Sequence, residues 1–118
     1  WTPVIAIKPA PQERVQEICA REGFPWEGTM FACQADRDNW ILFQLGKEGC
    51  TLWEAACEPV LLDALIRAAL NVADLRGVDR YAFGGRMEAH WGGKLQSMGY
   101  PAGEGSIAAL FQKDCGSR

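Results

Sequence analysis

Pro59-Val60-Leu61-Leu62-Asp63-Ala64-Leu65-Ile66-Arg67-Ala68-Ala69-Leu70-Asn71-Val72-Ala73-Asp74-Leu75-Arg76-Gly77 lies between two short apolar runs, residues 50–56 and 80–83. Proline at its head lacks only an N–H that a first helical turn leaves unpaired, and glycine at its tail suits a left-handed helix end. Asp63, Arg67, Asn71 and Asp74 fall on one stripe, and nearly everything else is apolar. Such a helix is buried around most of its circumference and shows one ridge to water. Asp63 and Arg67, four apart, can pair along that ridge. Strand, buried helix and strand in this order make a crossover unit, so the two flanking strands are expected to run parallel.

Upstream, three extended runs at 29–34, 40–45 and 50–56 are separated by the short polar loops 35–39 and 46–49. Loops of that length and chemistry join antiparallel neighbours. Trp40-Ile41-Leu42-Phe43 is apolar without alternation, which predicts a strand covered on both faces. Nearer the N-terminus, Val4-Ile5-Ala6-Ile7 reads as a first strand stopped by Lys8-Pro9. A helix follows, with Pro11 in its first turn, Val15, Ile18 and Cys19 on one face, and Gly23 closing it.

Beyond the second parallel strand, Gly84-Gly85 breaks the chain, and Met87, Trp91, Leu95 and Met98 mark one face of a further helix ended by Gly99. Gly92-Gly93 weakens that helix by roughly 1 kcal/mol per glycine. Residues 106–111 fit either a last strand or a helix capped by Ser106. The fold class expected is α/β (α+β) in one domain, 1–118, with a mixed, mostly antiparallel sheet and one parallel crossover.

With 118 residues, 48% of them hydrophobic, the chain can fill one core but not two. Charged residues are 23% with a net charge of −3, and the basic residues stand singly among acids. That argues against a nucleic-acid binder, which needs a clustered basic face. No apolar run is long enough to span a membrane. Five cysteines, an odd number in no regular framework and with no signal-peptide pattern, read as reduced thiols in the cytoplasm. A segment preceding Trp1 is left open.

The order of these elements resembles the GCN5-related N-acetyltransferase (GNAT) superfamily, the acyl-CoA N-acyltransferase-like fold. The residues that carry the likeness are 50–56 as central strand and Leu61-Leu62-Asp63-Ala64-Leu65-Ile66-Arg67-Ala68-Ala69 as the helix after it. Ala73-Asp74-Leu75-Arg76-Gly77-Val78 is similar to that helix's end, and Leu95-Gln96-Ser97-Met98-Gly99-Tyr100 to the family's closing Leu–x–x–x–Gly–Phe pattern. The resemblance implies acetyl-CoA in a cleft where the central strand and its parallel neighbour part. The backbone at Trp53 and Ala55 would hold the thioester arm, and Cys57, Val60 and Leu61 would lie at the pyrophosphate, on the helix N-terminus. The sequence departs from that pattern at two places. Ala56-Cys57-Glu58-Pro59-Val60 has no glycine and no basic lead-in, and the family's general-acid tyrosine position is Leu95.

Several residues have two readings. Glu54 is a general base for an amine, or an outward strand residue; Glu27 and Glu58 are weaker forms of the same idea. Cys57 at a helix N-terminus is a thiol tuned toward thiolate, or a small residue filling space. His90, the single histidine, has no companion at metal-ligand spacing and reads as a surface or partly packed residue; no metal is expected. Gly84-Gly85-Arg86 is an anion-holding turn or merely a loop. Trp40 and Trp53 are assigned to core, and Trp26 and Trp91 either line a pocket or interface or are aromatic core, the default reading.

Two functions follow. One is an acetyl-CoA-dependent N-acetyltransferase acting on a small-molecule or protein amine, with Glu54 catalytic. The alternative is a non-catalytic module of the same fold that binds a small ligand or protein partner. A thiol-dependent redox or sensor protein using Cys57 is a third. Exposed sheet edges leave room for a homodimer.

Overall fold

A computed structural model describes residues 6–116. Among these, six strands form one open sheet in the order β1 to β6: Lys8–Pro9, Met30–Asp36, Asn39–Gly46, Gly49–Ala56, Arg80–Phe83 and Gly105–Ser106. All neighbours are antiparallel except β4 and β5, which are parallel. The helices are α1 (Gln12–Glu22), α2 (Leu62–Leu75), α3 (Gly85–Ser97) and α4 (Ile107–Gly116). The fold is therefore mixed, with a mostly antiparallel sheet and one parallel crossover through α2.

The buried helix behaves as its pattern requires. Leu62, Leu65, Ile66, Ala69, Leu70 and Ala73 are buried, and Arg67 bonds Asp63 at 2.9 Å on the wetter side. Its entry is a 3-10 turn, Pro59–Leu61, so the proline opens the turn and the α-helix begins three residues later. Gly77 ends the segment at φ 79°. Ile41, Phe43, Leu52, Tyr81 and Phe83 meet α2 on one face of the sheet. On the other face, Val15, Ile18 and Cys19 of α1 cover Met30, Ala32, Trp40 and Leu42. β3 is thus sandwiched, and Trp40 through Phe43 are all buried.

Three local expectations need correction. Val4 and Ile5 lie outside the described residues, Ala6 and Ile7 are not strand, and the two-residue β1 falls on Lys8–Pro9. A proline can sit in an edge strand, where no partner needs its N–H. Pro11 is the cap preceding α1 rather than a helical residue. Residues 106–111 realise both alternatives, because β6 ends at Ser106 and α4 starts at Ile107. Asp79 joins the two: it accepts from Ser106 Oγ (2.8 Å) and from the Ala108 N–H (2.8 Å). Those donors hold its carboxyl below the usual carboxylate range. No helix among the described residues is long and apolar enough to cross a membrane.

Leu70 lies wholly inside the α2 face of the core. Leu70→Ala is expected to cost about 2–5 kcal/mol through lost contacts and a cavity. Urea unfolding checks this: the midpoint should fall with an unchanged slope. A fall below about 1 kcal/mol would mean that the helix is not packed as described.

Candidate functional site

β4 and β5 pair at only three positions, Cys50–Tyr81, Thr51–Ala82 and Leu52–Phe83. The Gly84 N–H then donates to the Leu52 carbonyl (2.8 Å), and the two chains part. At the same level β4 carries a bulge. Leu42 faces Glu54 while the next β3 residue, Phe43, faces Leu52, so Trp53 is an extra residue. A bulge re-aims side chains. Here it sets Trp53 and Glu54 side by side on the α1 face.

Glu54 is only 2% exposed. A buried carboxylate demands donors, and it has two: the Ala55 N–H reaches Oε1 at 3.0 Å and Arg86 Nε reaches Oε2 at 3.2 Å, while His90 Nδ1 lies 2.7 Å from Oε2 at ion-pair distance. Arg86 and His90 are one helical turn apart on α3, so both point the same way. The Arg86 guanidinium also donates to the Glu22 carbonyl (2.6 and 2.5 Å) and carboxylate (3.1 Å), and it stacks on Phe24, 4.3 Å from the ring centre. Its two carboxylate partners hold the guanidinium's pKa above the ordinary value, against burial, which pulls it down. Trp53 completes the patch: its ring lies 5.9 Å from Phe24, and its indole N–H bonds Gln44 (3.1 Å). Gly84 is required here, because a Cβ would stand 2.8 Å from the Trp53 ring.

On the opposite side of α3, the Trp91 indole N–H donates to the Ala55 carbonyl at 2.9 Å. Both backbone groups of Ala55 are therefore occupied from within the chain. The entry to α2 is similarly used. The Glu58 N–H bonds Asn39 Oδ1 (2.8 Å), Pro59 has no N–H, and those of Leu61 and Leu62 bond Glu58 and Pro59 carbonyls. Among the described residues, the Val60 N–H is the one in that turn with no hydrogen-bond partner, and the Val60 side chain is exposed.

Cys57, half-buried beside this turn, does not have the activated thiol expected of a helix N-terminus. Burial pushes it up to about 11, and the neighbouring Glu58 charge adds to the rise. Cys33 is likewise pushed up to about 11 by burial, and Cys19, Cys33, Cys50 and Cys57 are all free thiols. Glu27 is exposed and accepts from Gln44 Nε2 (2.5 Å), the same side chain whose Oε1 accepts from Trp53. Trp53 is partly rather than fully buried. Trp26 is an exposed aromatic. Leu95 packs in the core, and the nearby Tyr100 hydroxyl donates to Asp63 Oδ1 (2.6 Å), so burial and that carboxylate push it far up. No cluster of metal-ligating side chains occurs among the described residues.

Neither reading of Gly84-Gly85-Arg86 as a turn or a loop holds: Gly84 is the cap before α3, Gly85 and Arg86 are its first residues, and Gly84's N–H and the arginine are already engaged. Sequence reasoning picked out Glu54 but missed His90, Arg86 and Glu22 as its neighbours. The signal available was the i, i+4 spacing of Arg86 and His90 on a helix that follows a glutamate-bearing strand. A half-open cavity of about 410 Å³ lies between α3 and the chain beyond it, lined by Phe83, Glu88, Gly92, Leu95, Tyr100 and Pro101. Compared with family models, curated proteins and solved structures, the chain gives no match.

The raised Cys57 value leaves about one thiol in ten thousand as thiolate at pH 7. Iodoacetamide should therefore label Cys57 at under about a tenth of the rate of free cysteine, read by peptide mass spectrometry. Labelling as fast as free cysteine would restore the reactive-thiol reading.

Proposed function

We propose that the chain is a small-ligand-binding module on a GNAT-like framework, rather than an acetyl-CoA-dependent transferase. The observation that carries this reading is the Trp91 indole on the Ala55 carbonyl. A thioester arm laid along β4 would need that carbonyl or the Ala55 N–H, and the N–H is held by Glu54. The pyrophosphate would meet one free N–H, at Val60, and the carboxylate of Glu58, where an anion needs several donors and no acid. These residues do not fit coenzyme A, so no step of a reaction is drawn through it.

The cavity beside α3 supports the binding half of the proposal. Its volume falls in the range of small-molecule pockets, and apolar and aromatic side chains line it together with two polar ones, Glu88 and Gln96. Gly92 opens one wall, since a Cβ there would meet nothing within 4 Å.

The transferase reading retains one specific support. β4 and β5 part at the bulge, with a glutamate beside the gap. Isothermal titration with acetyl-CoA separates the two readings. The unmodified protein should give no binding heat, and heat appearing only with Glu58→Gly and Trp91→Phe combined would mark a slot closed from within. Micromolar binding, about −8 kcal/mol, by the unmodified protein would replace the module with the transferase.

The cavity is probed with 1-anilinonaphthalene-8-sulfonate. Its fluorescence should rise with the unmodified protein and fall at least about threefold with Gly92→Leu, which fills the opening and favours the helix. Equal fluorescence from both proteins would remove the cavity from the proposal.

A further inference from the structure

Glu88, Gly92, Leu95 and Gln96 recur at helical spacing on α3 and form one wall of the half-open cavity of about 410 Å³. Among the described residues, neither the Glu88 carboxylate nor the Gln96 amide makes a hydrogen bond or ion pair. The facing wall is aromatic, with Phe83 and Tyr100 meeting edge to face at 5.6 Å. The Tyr100 hydroxyl is engaged by Asp63 Oδ1 (2.6 Å), so this ring offers the cavity only hydrocarbon. No cation is among the lining residues. The helical period puts Arg86, His90 and Lys94 on the other side of α3, where Arg86 is held by Glu22 and Glu54. Glu88 is thus the one ionisable group that the cavity presents besides the engaged tyrosine.

We propose that this cavity takes organic cations with an apolar aromatic body, the cationic group lying at Glu88 and the body against Leu95, Phe83 and Tyr100. The inference rests on the ligand-binding reading above and adds to it the charge class of the ligand. A carboxylate with no cation of its own attracts a positive ligand and repels a negative one. An aromatic wall favours the same sign, because ring faces are negative. Gly92 leaves the floor of the stripe low, since a Cβ there would meet nothing within 4 Å. Gln96 stands eight residues beyond Glu88, about 12 Å along the helix. Its neutral amide can donate to or accept from the far end of the ligand. An anion of the same shape would meet the Glu88 charge, and a neutral molecule would gain nothing from it. No bond is made or broken, and the coenzyme question is left untouched.

The test titrates three probes that share one ring system and differ in charge: tryptamine, tryptophol and indole-3-propionate. Binding to the whole chain is followed by the ¹H–¹⁵N shifts of Gly92 and Gln96. Tryptamine should bind about threefold or more tighter than tryptophol, as a partly exposed ion pair allows, and indole-3-propionate should bind most weakly. Glu88→Gln, at an exposed position, should bring the three within about twofold of one another and leave tryptophol unchanged. On the unmodified protein, raising NaCl from about 20 to about 500 mM should remove most of the tryptamine advantage, because screening shortens from about 20 to about 4 Å. Equal affinities for all three probes, with shifts at Gly92 and Gln96, keep the cavity and overturn the cation class. A tryptamine preference that survives both Glu88→Gln and high salt overturns the proposal too. So does the absence of shifts from every probe. Anilinonaphthalene sulfonate fluorescence that still responds to Gly92→Leu then shows that the binding reading stands without it, and fluorescence that does not respond shows that both fall.

Discussion

A carboxylate inside the sheet is the constraint to which the rest of this molecule answers. Glu54 has left water, and an ion in that position is tolerated only where donors replace the solvent it lost. One donor comes from its own strand, at Ala55, and one from α3, at Arg86, with His90 of α3 close to the same oxygen. α3 is consequently tied to β4 by charge on one side and by Trp91 on the other. The bulge at Trp53 is what makes this arrangement reachable. Were Trp53 paired in a regular ladder instead of bulged, alternation from Leu52 would turn Glu54 to the other face, toward α2 and its apolar neighbours.

The split in the sheet follows from the same geometry. β5 could continue beside β4 only if the edge at Ala55 stayed available, and it is occupied. After three pairs the chain turns at Gly84, packs against the Trp53 ring, and becomes a helix whose side chains supply the missing edge contacts. The mixed sheet is thus closed locally by side-chain donors rather than by another strand. Backbone groups at a parted edge need partners as much as those within a ladder.

Much of the architecture was legible because it rests on patterns of local origin. The polar stripe Asp63, Arg67, Asn71 and Asp74 marked α2, and the unalternating Trp40–Phe43 run marked a strand covered on both sides. Gly23, Gly77 and Gly99, all at positive φ, marked three helix ends. Less was legible where pairing at a distance decides. Val4-Ile5-Ala6-Ile7 has the composition of a strand, yet β1 falls on Lys8–Pro9, opposite Gln34 and Cys33. The candidate site divided along the same line. Glu54 stood out as a carboxylate on a central strand, but its partner Arg86 is 32 residues away, and Glu22, which shares that arginine, ends α1. Cys57 shows the converse error. Position at a helix start suggested thiolate, whereas the desolvation and the Glu58 charge that outweigh the dipole are properties of the folded neighbourhood.

These observations separate two features that the family resemblance would have joined. In a transferase of that kind, the anion-binding turn, the strand edge and the proton acceptor serve one bound molecule. In this chain the turn offers a single free amide and a carboxylate, and the edge is bonded to Trp91. The carboxylate, by contrast, is elaborated with a histidine, an arginine and a second acid, all directed to the α1 face. A glutamate whose only role was to fill the sheet would be replaced by an apolar residue without loss, since a buried ion pair seldom stabilises more than good packing does. What such a residue does here, and leucine would not, is tie Arg86 of α3, and through it Glu22 of α1, to β4. The buried charge of the domain therefore lies on the face where α1, β4 and α3 meet, not in the cleft between the parallel strands.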